Sequence, residues 1–192
     1  MMTSCRFTAW HMMRDTPYKT EDSMEVKEAL QKRRSVRKFT DEPVPEEAVS
    51  ALLHAAMSGP SACNRTPWEF WVVTQAEALQ ALRGASRFTN YEAKLAIVVS
   101  GNLSRALPQQ LAEYWVQDCS AATENILLQA TELGLGAVWC GIYPQKRAQT
   151  KVAGILGMTE KQIPLNIIFI GYPAECPEPR DQYKESCVHW VK

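Results

Sequence analysis

The sequence predicts an α+β layered domain, on three observations. Stretches whose apolar residues recur every three or four positions alternate with short β-branched runs bounded by turn residues. The helical stretches outweigh the runs, and the alternation lacks the regular short βαβ rhythm of a doubly wound sheet. A chain of 192 residues with 46% hydrophobic content has enough apolar material for one real core. It contains no internal repeat, low-complexity block or Gly/Ser linker that would divide it. The expected organisation is one domain over residues 24–192, preceded by a flexible N-terminal extension at residues 1–23. In that extension Arg6, Arg14 and Asp15 are scattered around a short apolar patch without a small-residue cleavage pattern, and Met24 is an alternative start.

In chain order, Asp22 and Glu25 mark the start of a first helix, with Val26, Ala29 and Leu30 as its apolar stripe and an end near Arg33. Pro45 suits the first position of a second helix, in which Val49, Leu52, Leu53 and Ala56 recur at helical spacing until "GPS" (Gly59–Ser61) stops it. The runs "EFWVVT" and "LAIVVSG" read as buried strands, with a helix from about Ala76 to Arg83 between them. The longest periodic segment runs from about Leu111 to Leu133, with Cys119, Ala122, Ile126, Ala130 and Leu133 on one stripe and Gly134 as its cap. Apolar residues off that stripe (Val116, Leu127, Leu128) predict burial on more than one side, by core or by a partner chain. "AVWCGIY" then reads as a strand, "QKRAQTKVAGIL" as a helix and "LNIIFIGYP" as a last strand.

Composition excludes several functions. Lysine plus arginine equals aspartate plus glutamate at 21 each, so no global field draws the chain to nucleic acid or to an anionic membrane, and any anion site is local. Six cysteines without a CxxC pair, three of them inside apolar stretches, point to reduced thiols in a cytoplasm. There is no run of 18 apolar residues for a membrane span. His11, His54 and His189 lie far apart and in no metal-ligand spacing, so no metal is expected, and His54 reads as a structural histidine beside an apolar stripe. Neither a GxSxG elbow nor a P-loop occurs. Gly134–Leu135–Gly136 follows a helix and leads into a strand, the reverse of a dinucleotide-binding turn, and reads as a helix stop.

Two stretches remain. "RRSVRKF", Arg33 to Phe39, packs four cations into six residues at the end of the first helix. "GPSACNRTPWEFW", Gly59 to Trp71, mixes residues whose free amides and short polar side chains suit a planar polar ligand. Taken alone the basic run is a solvated helix end. With the second stretch beside it, the planar fork of arginine points toward phosphate, at roughly 1.5–3 kcal/mol for each partly buried charge-assisted bond.

The order "RRSVRKF", "PSACNRTPWEF", "ELGLGAVWCGIYP", then "IGYPAE" with "PRDQY" and "VHW", resembles the FMN-dependent nitroreductase family over Met24 to Trp190. The resemblance implies a three-layer sandwich with a mixed, mainly antiparallel sheet flanked by helices. It also implies a homodimer with FMN at an interface shared by both chains. Carried over, Arg33, Arg34 and Ser35 would hold the FMN phosphate and ribityl chain, while Arg37 would reach the pyrimidine edge and stabilise the reduced flavin electrostatically. Pro60, Ser61, Ala62 and Asn64 match the stretch that reaches the partner's FMN. Trp139, Cys140 and Gly141 match the strand end whose backbone faces flavin N5, and Arg180 matches a C-terminal phosphate-binding cation. Two positions depart from the pattern: Thr66 stands where glutamine is usual, and Gln182 where a second arginine is usual, which is expected to lower FMN affinity.

The activity so implied is an NAD(P)H-dependent, ping-pong reduction of nitroaromatics, quinones or similar acceptors by hydride transfer through FMN N5. No catalytic side chain is required and no metal. Acceptor choice is expected in loops Ser86–Glu92, with Arg87, Phe88, Asn90 and Tyr91, and Asn102–Gln110; a plain surface loop is the alternative for the first. Competing readings keep FMN with dehalogenation or heterocycle oxidation, or make the chain a non-catalytic flavin-binding protein.

Overall fold

The computed structural model describes residues 24–192. The expectations for residues 1–23, including a helix start at Asp22, lie outside the described residues. The elements are α1 (Val26–Lys32), α2 (Glu46–Met57), β1 (Trp68–Val73), α3 (Ala76–Arg83), β2 (Leu95–Asn102), α4 (Tyr114–Glu132), β3 (Gly136–Gly141), α5 (Lys146–Leu156) and β4 (Gln162–Gly171).

The four strands form one antiparallel sheet in the order β1-β2-β4-β3. β2 and β4 are central and read as unbroken apolar runs because both of their faces are covered. On one face Leu95, Ile97, Val99, Ile168 and Ile170 meet Leu52, Ala56, Trp115, Ala122 and Ile126 of α2 and α4. On the other, Ala96, Val98, Ile167 and Phe169 meet Leu79, Leu82, Ala148 and Val152 of α3 and α5. The alternation of side chains along each strand sends successive residues to opposite layers. The result is the three-layer α/β/α sandwich that the resemblance implied. The single parallel element among the described residues is an isolated bridge from Ser35 to Ala137.

Several boundaries shift for local reasons. Pro45 is the residue just outside α2 rather than its first, with an extended backbone at φ −68° and ψ 153°. α4 starts at Tyr114, because Pro108 and a left-handed Gln109 (φ 52°) leave only a 3-10 turn at Gln109–Leu111. β4 starts at Gln162, three residues before the apolar run, since its polar beginning pairs with Gly101 and Asn102 of β2. β3 ends at Gly141: the β2–β4 register shifts between Val99 and Ser100, and the Leu165 carbonyl at that bulge accepts from both Ile142 and Tyr143 N–H. On α1 only Ala29 is buried, whereas Val26 and Leu30 stand 72% and 55% exposed, so the expected stripe finds no cover among the described residues. His54 is exposed, its Nδ1 2.8 Å from the Ser50 carbonyl.

No helix among the described residues is long and apolar enough to cross a membrane. Of the described cysteines, Cys119 and Cys140 are buried while Cys63, Cys176 and Cys187 are exposed, and all five are free thiols. Burial pushes both buried thiols up to about 12 from an ordinary 9.0, because the low-dielectric core penalises the thiolate. The folded state therefore keeps protons that the unfolded chain releases above pH 9. Stability is complete below that pH and falls between pH 9 and about 12, by about 1.4 kcal/mol per pH unit for each thiol. Urea unfolding followed from neutral pH to about pH 10 should show this loss, and the Cys119→Ala/Cys140→Ala double variant should flatten the profile.

Candidate functional site

The basic run leaves α1 at Arg33 and crosses the outer edge of β3. The Val36 N–H donates to the Ala137 carbonyl at 3.0 Å, and Ser35 pairs with Ala137 in parallel. Val36 is buried against Gly136, where an added Cβ would lie 2.6 Å from Val36 Cγ1. Glycine at 136 is thus required by the close approach of the run, a reason separate from the helix stop that Gly134 provides at φ 71°. Further along, Thr40 N–H donates to the Tyr172 carbonyl and Ala174 N–H to the Lys38 carbonyl, both at 2.9 Å. The run is therefore clasped between the β3 edge and the segment that follows β4.

This clasp distributes the cations unequally. Arg33 is half-buried with Nε 3.4 Å from Glu124 of α4. Arg34 turns to the C-terminal segment, donating through Nε to the Glu178 carbonyl at 3.1 Å and through Nη2 to the Arg180 carbonyl at 2.8 Å. Arg34 thereby brings Arg180, 146 residues away in sequence, beside the basic run. Arg37 donates its backbone N–H to Glu175 Oε1 at 2.6 Å and keeps an exposed guanidinium whose one bond goes to the Ser35 carbonyl at 3.3 Å. Its charge reaches Cys140 on β3, where it opposes, but does not overcome, the upward push of burial on that thiol. Among the described residues no carboxylate lies in ion-pair range of Arg37, Lys38 or Arg180.

Trp139 and Cys140 point to opposite helical layers, and beyond them Gly141 has no atom within 4 Å of where a side chain would begin. Backbone there is open to a ligand. Just past it the Tyr143 hydroxyl donates to Glu113 at 3.0 Å, and that bond to a carboxylate holds the phenol above its ordinary range.

Pro60, Ser61, Ala62 and Asn64 belong to a tight loop fixed elsewhere, against the start of α4. Ala62 N–H donates to Asp118 Oδ1 at 2.8 Å, and Thr66 N–H donates to Ser61 Oγ at 2.9 Å. Cys63, Asn64 and Thr66 have φ of 49°, 53° and 43°, left-handed conformations that cost about 1–3 kcal/mol each for such residues and are worst for β-branched threonine. Thr66 thus engages through its backbone, and its departure from glutamine falls at a strained position. Arg65 ties this loop to 102–110 through the Arg105 carbonyl at 2.8 Å.

The chain thus joins Arg33 to Arg37, Arg180 and the β3 end in one neighbourhood and anchors the Pro60–Asn64 loop by separate bonds. Sequence reasoning missed Glu124, Glu175 and Asp118. Asp118 could have been noticed as an acid adjoining a buried stripe; the other two carry no local signal because their partners are remote in sequence. In the Ser86–Glu92 loop, Thr89 is fully buried and bonds the Arg83 and Ser86 carbonyls, Asn90 accepts from Arg83, and Tyr91 stacks edge-on against Phe169. Asn90 and Tyr91 are structural there, whereas Arg87 and Phe88 are exposed and contact each other.

The Nitroreductase family model matches residues 30–95 and 86–172. A Methanothermobacter thermautotrophicus protein, provisionally named NADH dehydrogenase/NAD(P)H nitroreductase, is 41% identical over 88% of each chain. The solved structure of an FMN-dependent nitroreductase from Clostridium difficile superposes with a TM-score of 0.78 at 31% identity, covering 85% of this chain and 98% of that one. An iodotyrosine deiodinase from Haliscomenobacter hydrossis is 26% identical over 80% of this chain and 81% of its own.

The Val36–Gly136 contact should be decisive for the geometry of the basic run. Gly136→Ala is expected to cost about 1–3 kcal/mol by overpacking, measured by urea unfolding, and Val36→Ala in the same chain should recover most of that loss. A loss in the double variant equal to the sum of the two single losses would mean that the contact does not hold the run.

Proposed function

The chain belongs to the nitroreductase family as an NAD(P)H-dependent FMN oxidoreductase, and from that premise we propose that it reduces nitroaromatic, quinone or similar acceptors as a homodimer with FMN at the interface. The single observation that carries this reading is the clasped basic run, which lays Arg33 to Arg37 along the edge of β3, ties Arg180 to it through Arg34, and brings the Arg37 charge within reach of Cys140, next to the open backbone at Gly141.

The residues fit FMN on chemical grounds. Uncompensated guanidinium groups at Arg37 and Arg180 suit a dianionic phosphate and an electron-rich ring edge, and a bare glycine backbone suits a flat ring. Arg33, Ser35 and Arg180 would hold the phosphate and ribityl chain. Arg34, engaged with the Glu178 and Arg180 carbonyls, would act by keeping the C-terminal segment in position. Arg37 would lie at the pyrimidine edge, and Trp139, Cys140 and Gly141 would offer backbone to the N5 side. When bound, FMN supplies the hydride chemistry through N5, between NAD(P)H and the acceptor in alternating strokes.

Pro60, Ser61, Ala62 and Asn64 would complete the site of a second copy. This is supported by their separate anchoring on Asp118 and by the apolar groups left uncovered around α1, α2 and α4: Val26, Leu30, Met57 and Tyr114. Exposed large apolar side chains on one layer suit an interface. The 26% identity to a deiodinase is lower than the 41% to the nitroreductase-named relative, which favours the reductase.

Purified protein should show flavin bands in the visible spectrum that bleach on anaerobic addition of NADH or NADPH. Bands that persist with both nucleotides would reject the reductase reading. Dilution below the dimer dissociation constant should release the flavin, whereas a monomer retaining stoichiometric FMN would reject the shared site. In Arg37→Ala the two-electron midpoint potential of bound FMN should fall by on the order of 20 mV, because an exposed cation at this range contributes about 1 kcal/mol to the reduced anion. Redox titration measures it directly.

A further inference from the structure

A second cationic site lies on the opposite helical layer. A cavity of about 450 Å³ opens between the turn after α3 and the start of α5, lined by Gly84, Ser86, Arg87, Gln145, Arg147 and Lys151 among others. Three of its lining residues are cations and none is acidic. No ion pair among the described residues uses Arg87, Arg147 or Lys151. Lys151 is oriented by donating to the Gly84 carbonyl. The Arg87 guanidinium lies over the Phe88 ring, 4.6 Å from its centroid, and Phe88 is 49% exposed. Three unpaired cations of like sign around one cavity repel each other unless an anion joins them. An exposed aromatic with a stacked guanidinium is in turn a platform for a planar base.

The location ties this cavity to the site already described. Gln145 follows Gly141 by four residues, a span of at most about 14 Å. Ile142 and Tyr143 between them are fixed by the Leu165 carbonyl.

We propose that this cavity receives the 2′-phosphorylated adenosine of NADPH, with Arg87, Arg147 and Lys151 as the partners of the 2′-phosphate, and that NADPH is therefore preferred over NADH. The proposal rests on the reductase reading for its nicotinamide end. NADH offers a neutral hydroxyl where NADPH carries a charge of about −1.5 to −2, so only the phosphorylated nucleotide relieves the repulsion among the three cations. The fork of Arg147 or Arg87 suits two phosphate oxygens at once, while Lys151 supplies a point charge.

Calorimetric titration of the full chain with adenosine 2′,5′-bisphosphate and, separately, ADP tests the site without any turnover. The bisphosphate is expected to bind at least about tenfold more tightly, and the Arg87→Ala/Arg147→Ala variant should lose most of that difference. An Arg147→Lys variant should retain part of it, which separates charge from fold. Equal affinity for the two nucleotides in the native chain, or an unchanged preference in the double variant, would overturn the proposal. In steady-state assays the ratio of kcat/KM for NADPH to that for NADH should fall by about tenfold in the double variant, and an unchanged ratio would overturn it. Failure of both nucleotides to bleach bound flavin would instead reject the reductase reading, while the calorimetric comparison would still decide this site.

Discussion

Strand β4 holds this molecule together. It is bonded along both edges, to β2 and to β3, and its residues from Pro164's neighbour Leu165 to Gly171 are buried on both faces. An apolar strand covered on two sides can exchange neither face for solvent, so its register is fixed, and everything bonded to it inherits that fixity. Each end of β4 then contributes to the candidate site. At the bulge, the Leu165 carbonyl takes both Ile142 and Tyr143 N–H and ends β3 at Gly141. Past the other end, Tyr172 and Ala174 bond Thr40 and Lys38 and hold the basic run against β3.

Polar groups inside the α4 layer serve the same purpose at a distance. Asn166 of β4 donates to Thr123 Oγ1 at 2.9 Å, and Thr123 donates to the Cys119 carbonyl at 2.7 Å, all of them buried. The Asn166–Thr123 bond fixes α4 relative to the sheet, because leaving it unmade inside the core would cost about 1–3 kcal/mol. α4 in turn carries Asp118, which holds the strained 61–66 loop, and Glu124, which meets Arg33. A loop with three left-handed non-glycine residues persists only because its surroundings over-determine it. That strain is an independent physical reason to look there for function.

Much of this was legible in sequence. Helix α3 matched its expected bounds, Ala76 to Arg83, and the β-branched runs became strands, because periodicity and turn residues act locally. The three-layer arrangement came from motif order, as did the role proposed for the basic run, because motif order records long-range geometry that periodicity does not. What stayed hidden was nonlocal. Nothing near Arg34 announces that its guanidinium will bond carbonyls 144 and 146 residues later, and nothing near Gly136 announces that Val36 will press on it. Polar strand ends were also missed, since Gln162 joins β4 through pairing rather than through hydrophobicity.

The two helical layers face solvent differently, and this difference bears on how the site is completed. The α3/α5 layer exposes charged groups, among them Arg87, Arg147 and Lys151, and its helices leave no large apolar side chain exposed. The other layer leaves Val26, Leu30, Met57 and Tyr114 exposed, and the C-terminal segment adds Tyr183 and Trp190 at 72% and 79%. Burying one such side chain fully is worth about 1.5–3 kcal/mol, so this layer loses stability in water that a covering surface would restore. The strained loop lies on this same layer, anchored on α4, and the cations of the basic run reach it through the Arg33–Glu124 contact. The second copy proposed above, seated on that face, would bury these apolar groups. The proposed sharing of the site between two copies and the uncovered apolar layer thus have one common physical basis.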